Sequence, residues 1–259
     1  QVPEGDEGMD EITVRFLIAD PGDVSAPVLI EGLPGIGHVG KLVAEHMIHE
    51  LGARKIAEIE SIFFPPQVII GENGVVRLAN NEIYYYEGKE QRILFLVGDF
   101  QSTSAEGHYL LADTFLSLAE ETFGVSRIYT LGGYGVGHLV DVPRVLGAVN
   151  DEALKEEIEA AGAVISPDEP GGGIIGAAGL LLGLGRARGI EGICLMGETS
   201  GYLVDPKSAS RVLDVLSNLL DLRVDATTLQ ERGMEMEHMI QKLVDTERAT
   251  ESDELRYIV

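Results

Sequence analysis

Four times along this chain an apolar run ends in glycine, with polar residues set among the glycines. Pro27–Glu31 leads into Gly32-Leu33-Pro34-Gly35-Ile36-Gly37-His38-Val39-Gly40, and Arg92–Val97 into Gly98-Asp99-Phe100-Gln101. Ser126–Leu131 leads into Gly132-Gly133-Tyr134-Gly135, and Gly192–Met196 into Gly197-Glu198-Thr199-Ser200-Gly201-Tyr202. Each run has the length and composition of a buried strand. Segments of helical periodicity lie between them, notably Lys41–Leu51, Thr103 to about Phe123, Ile174–Leu184 and Asp205 to about Leu220. Strands that alternate with helices build a largely parallel sheet covered on both faces. In such sheets ligands bind at the carboxyl ends of the strands, where glycine lets other groups approach the backbone. The pattern therefore names a crevice of Gly35, Gly37, His38, Asp99, Gln101, Gly132 and Glu198. The competing reading is a set of tight strand-to-helix turns with no ligand.

The expected architecture is a single three-layer α/β/α domain with a mostly parallel, partly mixed sheet. The mixing comes from short strands near 67–87, joined by turns that include Asn73-Gly74, a hairpin signal. Four parts follow: an acidic mobile N-terminus at 1–11, the core at 12–225, a C-terminal helix at 226–246, and an acidic tail at 247–259. That tail ends in the apolar-aromatic cluster Leu255, Tyr257, Ile258 and Val259.

Charge narrows the function. Nineteen Lys and Arg stand against 43 Asp and Glu, for a formal net charge of −24 over 259 residues. Phosphate neutralisation needs cations, so nucleic acid is not an expected partner, and anionic membranes repel such a surface. The single cysteine, Cys194, excludes an intrachain disulfide and sits in an apolar run, which reads as a buried small hydrophobe. With no signal peptide visible at the start, a cytoplasmic protein is expected.

Chemical motifs are weak. Gly35-x-Gly37-x-x-Gly40 matches the dinucleotide fingerprint, with Glu58 and Glu60 about 20 residues on where a ribose-binding acid would sit. Gly32-Leu33-Pro34 intervenes between strand and fingerprint, so no cofactor is expected, although an anion-binding helix N-terminus beside Lys41 stays open. His46 and His49 are three apart on a helix without supporting carboxylates, so no metal is expected either. Asp99 and Glu198 would serve as acid and base only if they faced each other. The alternative to a non-catalytic protein is thus an α/β enzyme that binds a nucleotide or small anion in the glycine-lined crevice.

The blocks Glu31–Gly40, Gly98–Gln101, Gly132–Gly135, Gly171–Leu182 and Gly197–Tyr202 with Asp205-Pro206, taken in order, resemble the proteasome assembly chaperone family, specifically its archaeal members. The resemblance spans about residues 25–225. It implies a phosphorylase-like sandwich, self-association to a homo-oligomer, and binding to proteasome core α-subunits in an assembly or activator role without catalysis. It also implies that a C-terminal tail docks on the core ring. Docking tails of that kind end hydrophobic-Tyr-any residue, whereas here Tyr257 is third from the end. Self-association is expected through the apolar stretch Gly173–Gly185 and the Met-bearing C-terminal helix.

Overall fold

The computed structural model describes residues 10–236 and Met239, apart from Pro167, Pro170 and Gly172. The first nine residues, the part of the expected helix at 226–246 that lies beyond 236 (Met239 excepted) and the expected tail at 247–259 lie outside the described residues.

The centre of the molecule is β2 (Val28–Glu31), whose four side chains are all buried. It runs parallel to β7 (Arg92–Gly98) on one side and to β8 (Arg127–Gly135) on the other. β8 in turn pairs in parallel with β10 (Glu191–Thr199). A strand covered on both faces has no polar side to spare, and so these segments read as continuous apolar runs. Outside this parallel centre the pairing is antiparallel. β6 (Asn80–Glu87), β3 (Arg54–Ser61) and β1 (Ile12–Phe16) extend it beyond β7, and β9 (Val145–Val149) closes the other edge. The full order is β1-β3-β6-β7-β2-β8-β10-β9. The mixed sheet thus carries its parallel pairing in the middle. β9 was not expected from the sequence: its five residues have a glycine at the centre, and only the antiparallel register with β10 makes them a strand. β4 (Val68–Ile70) and β5 (Val76–Leu78) form a separate hairpin. Its loop contains Gly74 at φ +79°, which the Asn73-Gly74 signal anticipates.

Alternate side chains of the central strands feed two cores. Val28, Ile30, Phe95 and Ile193 meet α1 (Val39–Leu51), α3 (Lys155–Ala160) and α5 (Pro206–Leu220) through Val43, Met47, Ile158, Val212 and Leu216. Leu29, Leu94, Leu96 and Ile128 meet α2 (Ala105–Ser117) and α4 (Ala177–Ala187) through Leu111, Phe115 and Leu181 on the opposite face. This is the three-layer α/β/α arrangement. Local signals set the helix ends. Ser104 Oγ accepts from the Gly107 amide at 3.1 Å, and Asp205 Oδ1 accepts from the Ser208 amide at 2.9 Å with Pro206 at the first helical position. A further helix, α6 (227–236 as described), lays Leu229 into the α1–α5 core. Among the described residues, no helix is long and apolar enough to cross a membrane.

Candidate functional site

The carboxyl ends of β2, β8 and β10 open into a cavity of about 530 Å³ on the α2–α4 face. Gly35, Gln101 and Gly132, three residues of the expected crevice, line it. Gln101 holds the mouth together: its Nε2 donates to the Pro34 carbonyl at 2.8 Å, and its Oε1 accepts from the Ala177 amide at 2.9 Å. One side chain thereby ties the loop after β2 to the N-terminus of α4. Gly176 stands at φ +85° there, and a Cβ on it would meet Gln101 Oε1 at 2.5 Å. Gly132 differs, because a Cβ there would touch only Met196 Cγ, at 4.0 Å.

The other four candidates do not line the cavity. Gly37 (φ +62°) and His38 (φ +51°) form the left-handed turn that launches α1. The Gly37 carbonyl accepts from the Asp205 amide at 2.9 Å, and His38 is exposed. Asp99 follows β7 but turns to the hairpin, where its carboxylate accepts from both Arg77 terminal nitrogens, at 2.6 and 2.9 Å, and from the Asn80 amide at 3.1 Å. Burial pushes that carboxyl up, yet these partners more than offset it and leave Asp99 below the usual range. Glu198 accepts from Arg144 Nε at 2.8 Å and from the Arg144 amide at 2.9 Å, and Arg144 holds its carboxyl below the usual range. Each acid has its own arginine, so the two do not form an acid–base pair.

Of the fingerprint glycines, Gly37 and Gly40 serve packing, since a Cβ on Gly37 would stand 2.9 Å from Thr199 Oγ1. A Cβ on Gly40 would stand 2.1 Å from the Leu131 carbonyl oxygen, so this glycine lets α1 close onto β8. Lys41 Nζ donates to the Gly98 carbonyl at 2.9 Å and lies outside the cavity. Glu58 lies on β3, three places from β2 in the sheet, and accepts from Lys55 at 2.8 Å and from Arg15 of β1. A dinucleotide fingerprint places its ribose acid on the strand next to the glycine loop. His46 contacts the Asp225 carbonyl and His49 is exposed. Among the described residues no group of His, Cys, Asp and Glu is placed to hold a metal.

The cavity's most unusual group is Glu31, which is not among the crevice residues that the sequence pattern names. Glu31 ends β2 only 1% exposed. Its Oε1 accepts from the Leu33 amide at 2.8 Å, and its Oε2 has no hydrogen-bond partner. Burial pushes the carboxyl up to about 8, with the Leu33 and Leu131 amides offsetting part of the rise. Thr130 lies beside Glu31 in the register, and Cys194 beside Thr130, so the three form one row across the sheet. Cys194 is fully buried, and burial pushes its thiol up to about 12, as an inert core cysteine requires. The signal for Glu31 was available, because a carboxylate closing the apolar run Val28-Leu29-Ile30 in a central strand has no route to water.

The sequence profile of the PAC2 family matches residues 29–244. An uncharacterized protein of Methanocaldococcus jannaschii, MJ1210, is 39% identical over 240 residues, covering 89% of this chain and 92% of its own. The crystal structure of Pyrococcus furiosus PbaB, an archaeal proteasome activator, superposes with a TM-score of 0.85 at 43% identity, over 91% of this chain and 99% of that one. Pyrococcus furiosus PbaA, an archaeal homolog of proteasome-assembly chaperone, superposes with a TM-score of 0.74 at 26% identity, over 94% and 97%. These matches agree with the resemblance drawn from the ordered glycine blocks: the chain belongs to the PAC2 family.

Proposed function

We propose that this protein is a non-catalytic, proteasome-associated factor of the assembly-chaperone or activator type. In this reading it self-associates in the cytoplasm and binds α-subunits of the proteasome core. The observation that carries the proposal is the 43% identity and TM-score of 0.85 to the activator PbaB over nearly the whole chain. The neutralised acids support it, since Asp99 and Glu198 are each committed to an arginine.

Docking is assigned to the C-terminal cluster Leu255, Tyr257, Ile258 and Val259, which follows the acidic stretch 247–254. Several tails on one oligomer would raise avidity by about 10²–10⁴ over a single tail. For self-association, α4 is a poorer candidate than its composition suggests, because Ala177, Leu181 and Leu182 pack into its own domain. The hairpin offers more, with Val68, Ile70, Val75, Val76 and Leu78 all exposed.

Pull-down of archaeal proteasome core particles tests the reading. The full chain should retain the core particle, and a chain lacking residues 255–259 should lose it at an unchanged melting temperature. A full chain that fails to retain the particle overturns the proposal. Lost stability or altered oligomer size in the truncated chain, with capture intact, would make the tail structural. Light scattering near the monomer mass of 27.9 kDa would remove self-association.

A further inference from the structure

We propose that the cavity bordered by Glu31 binds a small, neutral, planar molecule that carries a carbonyl or amide oxygen beside an apolar ring, with Glu31 as the hydrogen-bond donor. The inference is independent of proteasome binding.

The first observation is the unsatisfied floor. Buried polar atoms are nearly always paired, because an unpaired one costs about 1–3 kcal/mol. Glu31 borders the cavity, and its Oε2 is unpartnered. A carboxyl in this setting keeps its proton at neutral pH and has a hydrogen to donate.

The second observation is the missing side chain at Gly132. Thr130, Gly132 and Tyr134 alternate along the same face of β8. Gly132 is not in the left-handed region, and a Cβ would meet nothing closer than 4.0 Å. Neither backbone strain nor protein packing requires a glycine there. Its absence of side chain leaves a slot against the backbone, and a ring fits such a slot.

The third is the chemistry of the walls. Leu33, Ile174, Ala178 and Met196 supply apolar surface, and His108 is the one basic side chain among the described lining residues. A nucleotide or other polyanion would exchange the hydration of several charges for a single imidazole. A cation is disfavoured as well, because the N-terminus of α4, an eleven-residue helix, reaches the cavity at Gly176 and Ala178. The amides of Ala178 and Gly179 have no acceptor within the helix. Donors of this kind favour an acceptor oxygen, and the buried acid Glu31 at the same cavity makes an uncharged oxygen a better fit than a carboxylate. A volume of about 530 Å³ falls in the range of small-molecule sites. A second cavity of about 420 Å³ lies under the hairpin between Phe64, Pro65, Val68 and Leu78. None of the unpaired buried side-chain atoms found among the described residues borders it, so it carries no comparable argument.

Benzamide and nicotinamide serve as probes, with benzoate as the charged counterpart, on the full chain. Saturation-transfer NMR should show contact to the ring protons of both amides at about 10 mM, a range suited to ligands of so few atoms. The Gly132, Gly133 and Ala178 amides should shift in nitrogen-edited spectra. Gly132→Val and Glu31→Met should each weaken binding about tenfold, whereas Glu31→Gln, which keeps an N–H donor, should retain it. Benzoate should bind about tenfold more weakly than benzamide. The proposal is overturned by no transfer to either amide, by shifts that map elsewhere, by unchanged binding in Gly132→Val, or by tighter binding of benzoate. If Gly132→Val proves unfolded by circular dichroism, the shift map of the wild-type chain decides alone.

Discussion

Gly40 in the first turn of α1 lies so close to Leu131 in β8 that a Cβ would stand 2.1 Å from the Leu131 carbonyl oxygen. Backbone cannot yield as a flexible side chain does, so Gly40→Ala must push α1 off the sheet. Overpacking of this kind costs about 1–3 kcal/mol. The melting temperature should drop by several degrees in calorimetry, and an unchanged value would mean that helix and strand are less tightly apposed.

Gly132→Ala, one position beyond Leu131 on the same strand, should behave in the opposite way. The nearest heavy atom to the new Cβ is Met196 Cγ at 4.0 Å. A glycine replaced where its backbone conformation suits alanine gains about 0.4–1 kcal/mol through the unfolded state. Urea unfolding should place the variant at or slightly above the wild type. A clear loss of stability would show that the apparent room beside β8 is not there.

Glu31 predicts a pH effect with a definite sign. Its folded carboxyl is pushed up to about 8 from an ordinary value of 4.5. Between those values the folded state holds a proton that the unfolded state has released. Its contribution is therefore fully present below pH 4.5, is lost as pH rises, and levels off above about 8. Glu31→Gln keeps the shape and has nothing to titrate. Across that window the wild type should lose up to about 1.4 kcal/mol per pH unit relative to the variant. The neighbouring Cys194 thiol does not titrate in this range, whereas His108 borders the same cavity, so His108→Gln belongs in both backgrounds as a control. Parallel stability curves for wild type and Glu31→Gln would contradict the assignment.

The Arg144–Glu198 pair fastens the segment before β9 to β10. Arg144→Ala leaves the Glu198 carboxylate, 6% exposed, without its partner. The melting temperature should fall at pH 7. Because Arg144 lowers the Glu198 carboxyl, its contribution is present above the unfolded value of 4.5 and disappears as pH falls through the folded one. The gap between wild type and variant should therefore narrow in acid. A gap that stays constant below pH 4 would point to lost packing by the arginine stem instead.

Sequence alone determined the strands that hold the centre. Pro27–Glu31, Arg92–Val97, Ser126–Leu131 and Gly192–Met196 are legible because burial on both faces demands continuous apolar runs, and period and capping signals are local. The ordered glycine blocks likewise sufficed to identify the family. Tertiary structure alone decided what the polar residues at those strand ends do. Asp99 meets Arg77 and Glu198 meets Arg144, partners 22 and 54 residues away, and β3 with Glu58 lands three strands from β2. It also decided that Glu31, rather than Asp99 or Glu198, borders the cavity and keeps a buried oxygen without a partner. The reason is physical: periodicity records which face a residue takes, whereas its partner is fixed by strand order and register, which long-range packing sets.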